Sequence, residues 1–236
     1  MLDLRQLEAR SAPEILEWAL AAYGDRFAIA TSFQKSDMVV MDLTARAGRP
    51  FRVFTLDTGR LPEETLCMAG TVRERYGVTV ETVSPDAAEV EAMVKQHGPD
   101  LFYDGVEFRH LCCEMRKVRP LARKLRELDV WATGLRRDQA ATRAAVPKAA
   151  EVDGRIKLNP LADWTAGQVE EYIRAHGVPV HPLYARGYES IGCAPCTRPV
   201  EPGEDERAGR WWWEGDAKKE CGIHFAPDGR VERSAT

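Results

Sequence analysis

No apolar run in the 236 residues approaches the roughly 20 needed to cross a bilayer. The opening decapeptide, MLDLRQLEAR, alternates apolar and charged side chains and lacks the apolar stretch of a secretory signal. Both absences lead to the expectation of a cytoplasmic protein with no membrane partner. Excess positive charge is lacking as well. The formal net charge is −4, so nothing global draws the chain to nucleic acid, and any bound anion must be met by local basic clusters. Internal repeats are absent. Disorder of the whole chain is excluded by a 44% hydrophobic composition, enough for a core. Six cysteines in a cytosolic chain of this size are not read as a disulfide framework; metal binding or thiol chemistry is the better reading.

What is present is an alternation of strand and helix patterns. Ser11 and Glu14 have capping-box spacing ahead of a helix over residues 15–22. Short apolar runs at 27–30, 51–56, 78–83 and 130–132 read as strands. Helical patterns fall between them, at 38–48, 63–76, 86–96 and 115–128. The fold class expected is α/β with a mostly parallel, doubly wound sheet. Ligands of such sheets bind outside the carboxyl ends of the strands. Residues 32–37, 57–60 and 133–143 sit at those ends and form one candidate pocket. Further on, Asp153-Gly154 suggests a hairpin turn, and Thr165 to Gln168 opens a helix through His176. The division expected is a nucleotide-binding body over residues 1–200 and a mobile tail over 201–236. Trp211-Trp-Trp213 would anchor that tail to the body.

Four cysteines form two pairs, Cys112-Cys113 and Cys193-Ala-Pro-Cys196. Adjacent residues on a helix point about 100° apart, awkward for one tetrahedral zinc ion and easier for the separate iron corners of a [4Fe–4S] cluster. Zinc and redox disulfides remain open on spacing alone. Cys67, between Leu66 and Met68 in a helical pattern, reads as a small buried hydrophobe. Cys221 stands apart, with Lys218 and Lys219 before it and His224 after it; positive neighbours raise the thiolate fraction.

Two segments suit anions. Thr31-Ser-Phe-Gln-Lys-Ser-Asp37 follows a strand and opens a helix, the placement of a phosphate loop, although the glycines of a Walker loop are missing. Thr133-Gly-Leu-Arg-Arg-Asp-Gln139 with Arg143 sets three arginines after a strand, and Arg207 and Arg210 precede the tryptophans. Guanidinium groups make bidentate contacts to phosphate and sulfate.

Six pieces, in order, resemble the sulfonucleotide reductases, the family that reduces adenylyl sulfate (APS) and phosphoadenylyl sulfate (PAPS). They are Ser32-Phe-Gln-Lys-Ser-Asp37, Leu56-Asp-Thr-Gly-Arg60, Cys112-Cys-Glu-Met-Arg-Lys117, Thr133 to Gln139, Cys193-Ala-Pro-Cys196-Thr-Arg-Pro and Lys219-Glu-Cys221-Gly-Ile-His224. The resemblance implies an adenine-nucleotide α-hydrolase-like fold. Phe33 and Gln34 stand where the related ATP pyrophosphatases carry glycines, which argues against ATP cleavage. The paired cysteines resemble the cluster-bearing, APS-preferring branch of sulfate assimilation. This implies one [4Fe–4S] cluster on Cys112, Cys113, Cys193 and Cys196.

By the same resemblance, Cys221 is the nucleophile and forms an S-sulfocysteine that a thioredoxin-type partner reduces to sulfite. The residues implied to hold substrate are Ser32, Phe33, Gln34, Lys35, Asp57, Thr58, Gly59, Lys117, Arg136, Arg137, Arg143, Arg207, Arg210 and His224. A homo-oligomer is expected. The alternatives are a PAPS or dual-substrate reductase, a tRNA sulfur-transfer enzyme of the ATP-pyrophosphatase group, and a zinc module. The acidic charge and the missing glycines count against the second; the third leaves Cys221 unexplained.

Overall fold

A computed structural model of the chain describes residues 4–214. One six-stranded sheet carries the order β3-β2-β1-β4-β6-β5. Its strands are β1 (Phe27–Thr31), β2 (Arg52–Leu56), β3 (Val80–Val83), β4 (Val130–Ala132), β5 (Ala149–Val152) and β6 (Arg155–Leu158). All neighbours pair in parallel except β5 with β6. Those two form the expected hairpin, turning through Asp153 and Gly154 at φ 49° and 73°. β1 is the centre. The chain leaves it toward β2 on one side and later returns to β4 on the other, so the winding reverses between β1 and β4. In open α/β sheets that crevice receives the ligand.

Helices α1 (Ala12–Tyr23), α2 (Lys35–Arg46) and α7 (Ala166–His176) cover one face. Glu14 caps the Ser11 amide at 2.7 Å, and Gln168 does the same for Thr165 at 2.8 Å, as their spacing predicts. α2 is buried almost all round, from Ser36 to Thr44, because it lies between the sheet, α1 and α7. The opposite face packs Phe54, Leu121, Leu125, Leu128 and Trp131. Helices α3 (Glu63–Tyr76) and α4 (Ala87–His97) complete the crossovers around β3. Among the described residues no helix is long and apolar enough to cross a membrane.

The helix expected over 115–128 begins earlier. α5 (Val106–Cys113) runs into a π-helical turn (Glu114–Val118) and then α6 (Arg119–Leu125). The cysteine pair therefore ends one helix rather than starting another. Cys67 is corrected too: it is exposed. The buried stripe of α3 is Thr65, Met68 and Val72, and Cys67 falls off it.

His181 is buried between α3 and the 181–186 turn. Its Nδ1 accepts the Leu183 amide at 3.2 Å, which leaves the Nε2 proton facing Thr65 Oγ1 at 2.9 Å. Burial lowers its pKa from the usual 6.5. The folded state therefore holds the neutral ring while the unfolded chain takes up a proton first. The stabilisation is complete above about pH 6.5 and falls below it, at up to about 1.4 kcal/mol per pH unit. Urea midpoints at pH 7.5 and 5.5 check this: His181→Gln should flatten the slope, and an unchanged slope would remove His181 as its source.

Candidate active site

The cavity at the switch point has a volume of about 260 Å³. Ser32, Gln34, Ser36 and Asp37 reach it from the end of β1, and Thr58 from the end of β2. Thr133, Gly134, Gln139 and Arg143 follow β4, and Arg207 and Arg210 come from the far C-terminal side. The three segments expected at the strand ends thus converge. Phe54, Leu56, Leu121 and Trp131 supply an apolar wall.

The loop after β1 differs from a phosphate cradle. Its donors are already engaged. Ser32 donates its amide and hydroxyl to the Asp37 carboxylate at 2.7 and 2.8 Å, and the Gly134 amide donates to the same group at 3.0 Å. The Phe33 amide goes to Thr31 Oγ1 at 2.9 Å, and the Lys35 amide to the Tyr184 hydroxyl at 3.3 Å. Asp37 thus occupies the helix N-terminus as an internal anion. Burial pushes its carboxyl up, against the donors that favour the charged form. A Cβ on Gly134 would stand 2.5 Å from the Asp37 amide, so only glycine lets the β4 loop approach this closely.

Several residues expected at the substrate lie off this cavity. Phe33 takes φ 58°, a left-handed backbone that glycine would adopt freely, and packs its ring into the core. Lys35 lines a smaller space beside the main cavity, paired with Glu170 at 2.5 Å and lying over the Tyr184 ring. Arg136 is buried against Asp138 at 2.8 Å and donates to the Ser36 hydroxyl. Arg137 reaches Glu8 and the Val146 carbonyl. The Asp57 carboxylate turns back to the Gly59 amide at 2.8 Å and shapes the loop rather than lining it. Gly59, at φ +69°, lies close to the Arg116 guanidinium. Cys221 and His224 lie outside the described residues.

Next to the cavity the four paired cysteines line one small pocket with Phe102, Pro195 and Trp211. All four are buried free thiols. Burial raises the Cys112 thiol and pushes Cys196 up to about 12. For Cys112 and Cys196 an ionised sulfur here needs a cationic partner. Arg60, Arg109, Arg116, Lys117 and Arg210 surround them. Thr58 ties the two sites: its hydroxyl meets Cys193 Sγ at 3.3 Å, and its carbonyl accepts Arg116 Nη1 at 2.8 Å. Among the described residues no three His, Cys, Asp or Glu side chains stand close enough to share a single metal ion. Lys117 and Arg210 line both the cysteine pocket and the large cavity, forming a cationic wall between them. Gly192 makes room for Arg210, since a Cβ there would collide with its guanidinium.

Sequence reasoning passed over Arg60, Arg109, Arg116, Gly192 and Glu206. Position immediately before Cys193 was the only local signal for Gly192. In the described part of the expected tail, residues 201–214, the chain folds back on the body: Thr197 bridges Arg210, the Arg198 amide donates to the Gly209 carbonyl, and Trp211 is buried. Of the three tryptophans, Trp211 is buried and Trp213 packs on Tyr103 with ring centres 4.5 Å apart, while Trp212 is 40% exposed.

The mostly parallel sheet, with its cavity at the switch point, has the fold class of the adenine-nucleotide α-hydrolase-like domains. The chain belongs to the phosphoadenosine phosphosulfate reductase domain family, whose pattern matches residues 26–199. An adenosine 5'-phosphosulfate reductase of Burkholderia cepacia is 47% identical over 223 residues, covering 92% of this chain and 89% of that protein. The crystal structure of a PAPS reductase from Candida auris, a phosphate complex, superposes with a TM-score of 0.69 at 28% identity. The match covers 84% of this chain and 94% of that one. Yeast FAD synthetase in complex with FAD shares the fold alone, with a TM-score of 0.55 at 13% identity, over 83% of this chain and 72% of that one.

Proposed function

We propose that the chain reduces APS to sulfite and AMP, with Cys221 as nucleophile and a thioredoxin-type dithiol as electron donor. The observation that carries this reading is the cationic wall of Lys117 and Arg210, shared by the nucleotide-sized cavity and the cysteine pocket. The adenine lies against Phe54, Leu56, Leu121 and Trp131. The phosphosulfate lies at the wall, where Arg143 and Arg207 add donors.

The Cys221 thiolate attacks the sulfur of APS. The bond from sulfur to the AMP oxygen breaks, and AMP leaves with its charge already spread over phosphate oxygens. Cys221 then carries the sulfo group. One thiolate of the dithiol attacks Sγ of Cys221 and expels sulfite. Its second thiol resolves the mixed disulfide, so two electrons pass from the dithiol to sulfur. The wall neutralises the crowded anions during the first displacement.

Cys112, Cys113, Cys193 and Cys196 would hold one [4Fe–4S] cluster. The fit rests on four buried thiols lining one pocket within a ring of cations. A cubane offers each sulfur its own iron. When bound, it supplies a large fixed charge against which Lys117 is oriented.

The test is sulfite release from APS with reduced thioredoxin, together with the visible spectrum. Brown protein absorbing near about 400 nm and turning over APS is expected. Cys193→Ser should lose both iron and activity. No sulfite from APS overturns the reaction, and full iron in the Cys193→Ser protein removes that ligand.

A further inference from the structure

Beyond the rim formed by Gln34, Ser36, Gln139 and Glu206, the cavity continues into an annex of about 80 Å³. Its charges are uneven. It holds two cations, Lys35 and Arg136, and both are engaged: Lys35 by Glu170 at 2.5 Å with Glu189 at 3.9 Å, Arg136 by Asp138 at 2.8 Å and by Ser36. Three carboxylates line the same space, Glu170, Glu189 and Glu206. Glu206 alone among them also lines the main cavity, and neither annex cation pairs with it. Burial and the like charges of Asp138 and Glu189 push its carboxyl up, with Arg136 and Arg207 opposing.

The two ends of the cavity therefore differ in sign. The cysteine end presents Lys117 and Arg210; the annex end presents Glu206 beside the internally capped Asp37, with Arg143 bonded to the rim residue Gln139 at 2.7 Å and Arg207 next to Glu206 in the chain. A phosphosulfate at the cationic end leaves the sugar's hydroxyl edge toward the annex. Hydroxyls donate to a carboxylate, whereas a phosphate there meets the like charges of Glu206 and Glu189, and the two annex cations, Lys35 and Arg136, are already engaged by carboxylates. Carboxylates that accept ribose hydroxyls discriminate in this way at other nucleotide sites.

We propose that Glu206 is the specificity-determining residue of the nucleotide site: it receives the ribose hydroxyls and excludes a 3′-phosphate. The inference rests on the reading of this cavity as a sulfonucleotide site and adds the residue that selects APS over PAPS.

Calorimetric titration of the holoprotein with AMP and with adenosine 3′,5′-bisphosphate tests it without turnover. Wild-type protein should prefer AMP. Glu206→Gln keeps an acceptor but loses the charge, so AMP binding should weaken only a few-fold. The bisphosphate-to-AMP affinity ratio should rise by about tenfold or more. Glu206→Ala should raise the same ratio while weakening AMP further. Thermal melts establish that both variants fold. An unchanged ratio in both overturns the proposal. Failure of the reaction is separable: a wild-type protein that discriminates through Glu206 yet releases no sulfite from APS sinks the proposed activity alone.

Discussion

Cys221→Ser protein is expected to bind nucleotide as wild type does and to release no measurable sulfite. The proposed first displacement needs a soft anionic nucleophile at neutral pH. In the sequence Lys218, Lys219 and His224 flank the thiol, and positive neighbours favour the thiolate, whereas a serine hydroxyl forms no comparable anion at this pH. Because the second displacement uses the same sulfur, no partial route survives, and the loss should exceed about a thousandfold. Wild-type protein given APS without dithiol should gain about 80 Da, one SO₃ group, on the peptide containing Cys221. The adduct on the exposed Cys67, or residual turnover by Cys221→Ser, would end the mechanism.

The second large effect is structural. Arg109 and Glu214 form an ion pair at 2.5 Å with side chains only 2% and 4% exposed. Arg109 also lies over the Trp211 ring, 4.4 Å from its centre. The pair fastens Glu214, and the tryptophans just before it, to the helix that carries Cys112 and Cys113. Among the described residues the other buried oxygen of Glu214 has no partner, so its charge depends on Arg109. Arg109→Ala strands that carboxylate and should cost about 3–5 kcal/mol. Chemical denaturation reads this directly. The double variant Arg109→Met with Glu214→Leu should recover most of the loss, because buried apolar substitutes avoid the desolvation penalty. A single variant losing under about 1 kcal/mol would show that the pair is not a fastening.

Much of this was legible in the sequence. Strand and helix alternation gave the layers, and the two capping boxes at Ser11 and Thr165 formed as their spacing predicts. The three strand-end segments met because parallel sheets gather their loops at one edge. Strand order was not legible, since parallel pairing is non-local: β1 meets β4 about a hundred residues later. Nor was side-chain direction within a charged run. Arg136 and Arg137 are neighbours, yet one folds back on Asp138 and Ser36 and the other reaches Glu8 across the fold. The phosphate-loop expectation met a competitor in Asp37, whose carboxylate sits where an external anion would. Glu206 was overlooked because a single acid in a charged stretch carries no periodic signal.

The π-helical turn at Glu114–Val118 has a further consequence. There the Arg119 amide bonds back five residues to Glu114, so the helix carries one residue more than a regular α-helix of that length would need. Met115 can be viewed as that surplus. Deleting it would close the turn into an unbroken α-helix with better backbone geometry. It would also rotate Arg116 and Lys117 by about 100° relative to Cys112 and Cys113. Arg116 would lose the Thr58 carbonyl, and Lys117 would leave the wall between the cavities. The frame of this helix is set by where two cations must point relative to two sulfurs, and a shorter, more regular helix would miss that aim by a quarter turn.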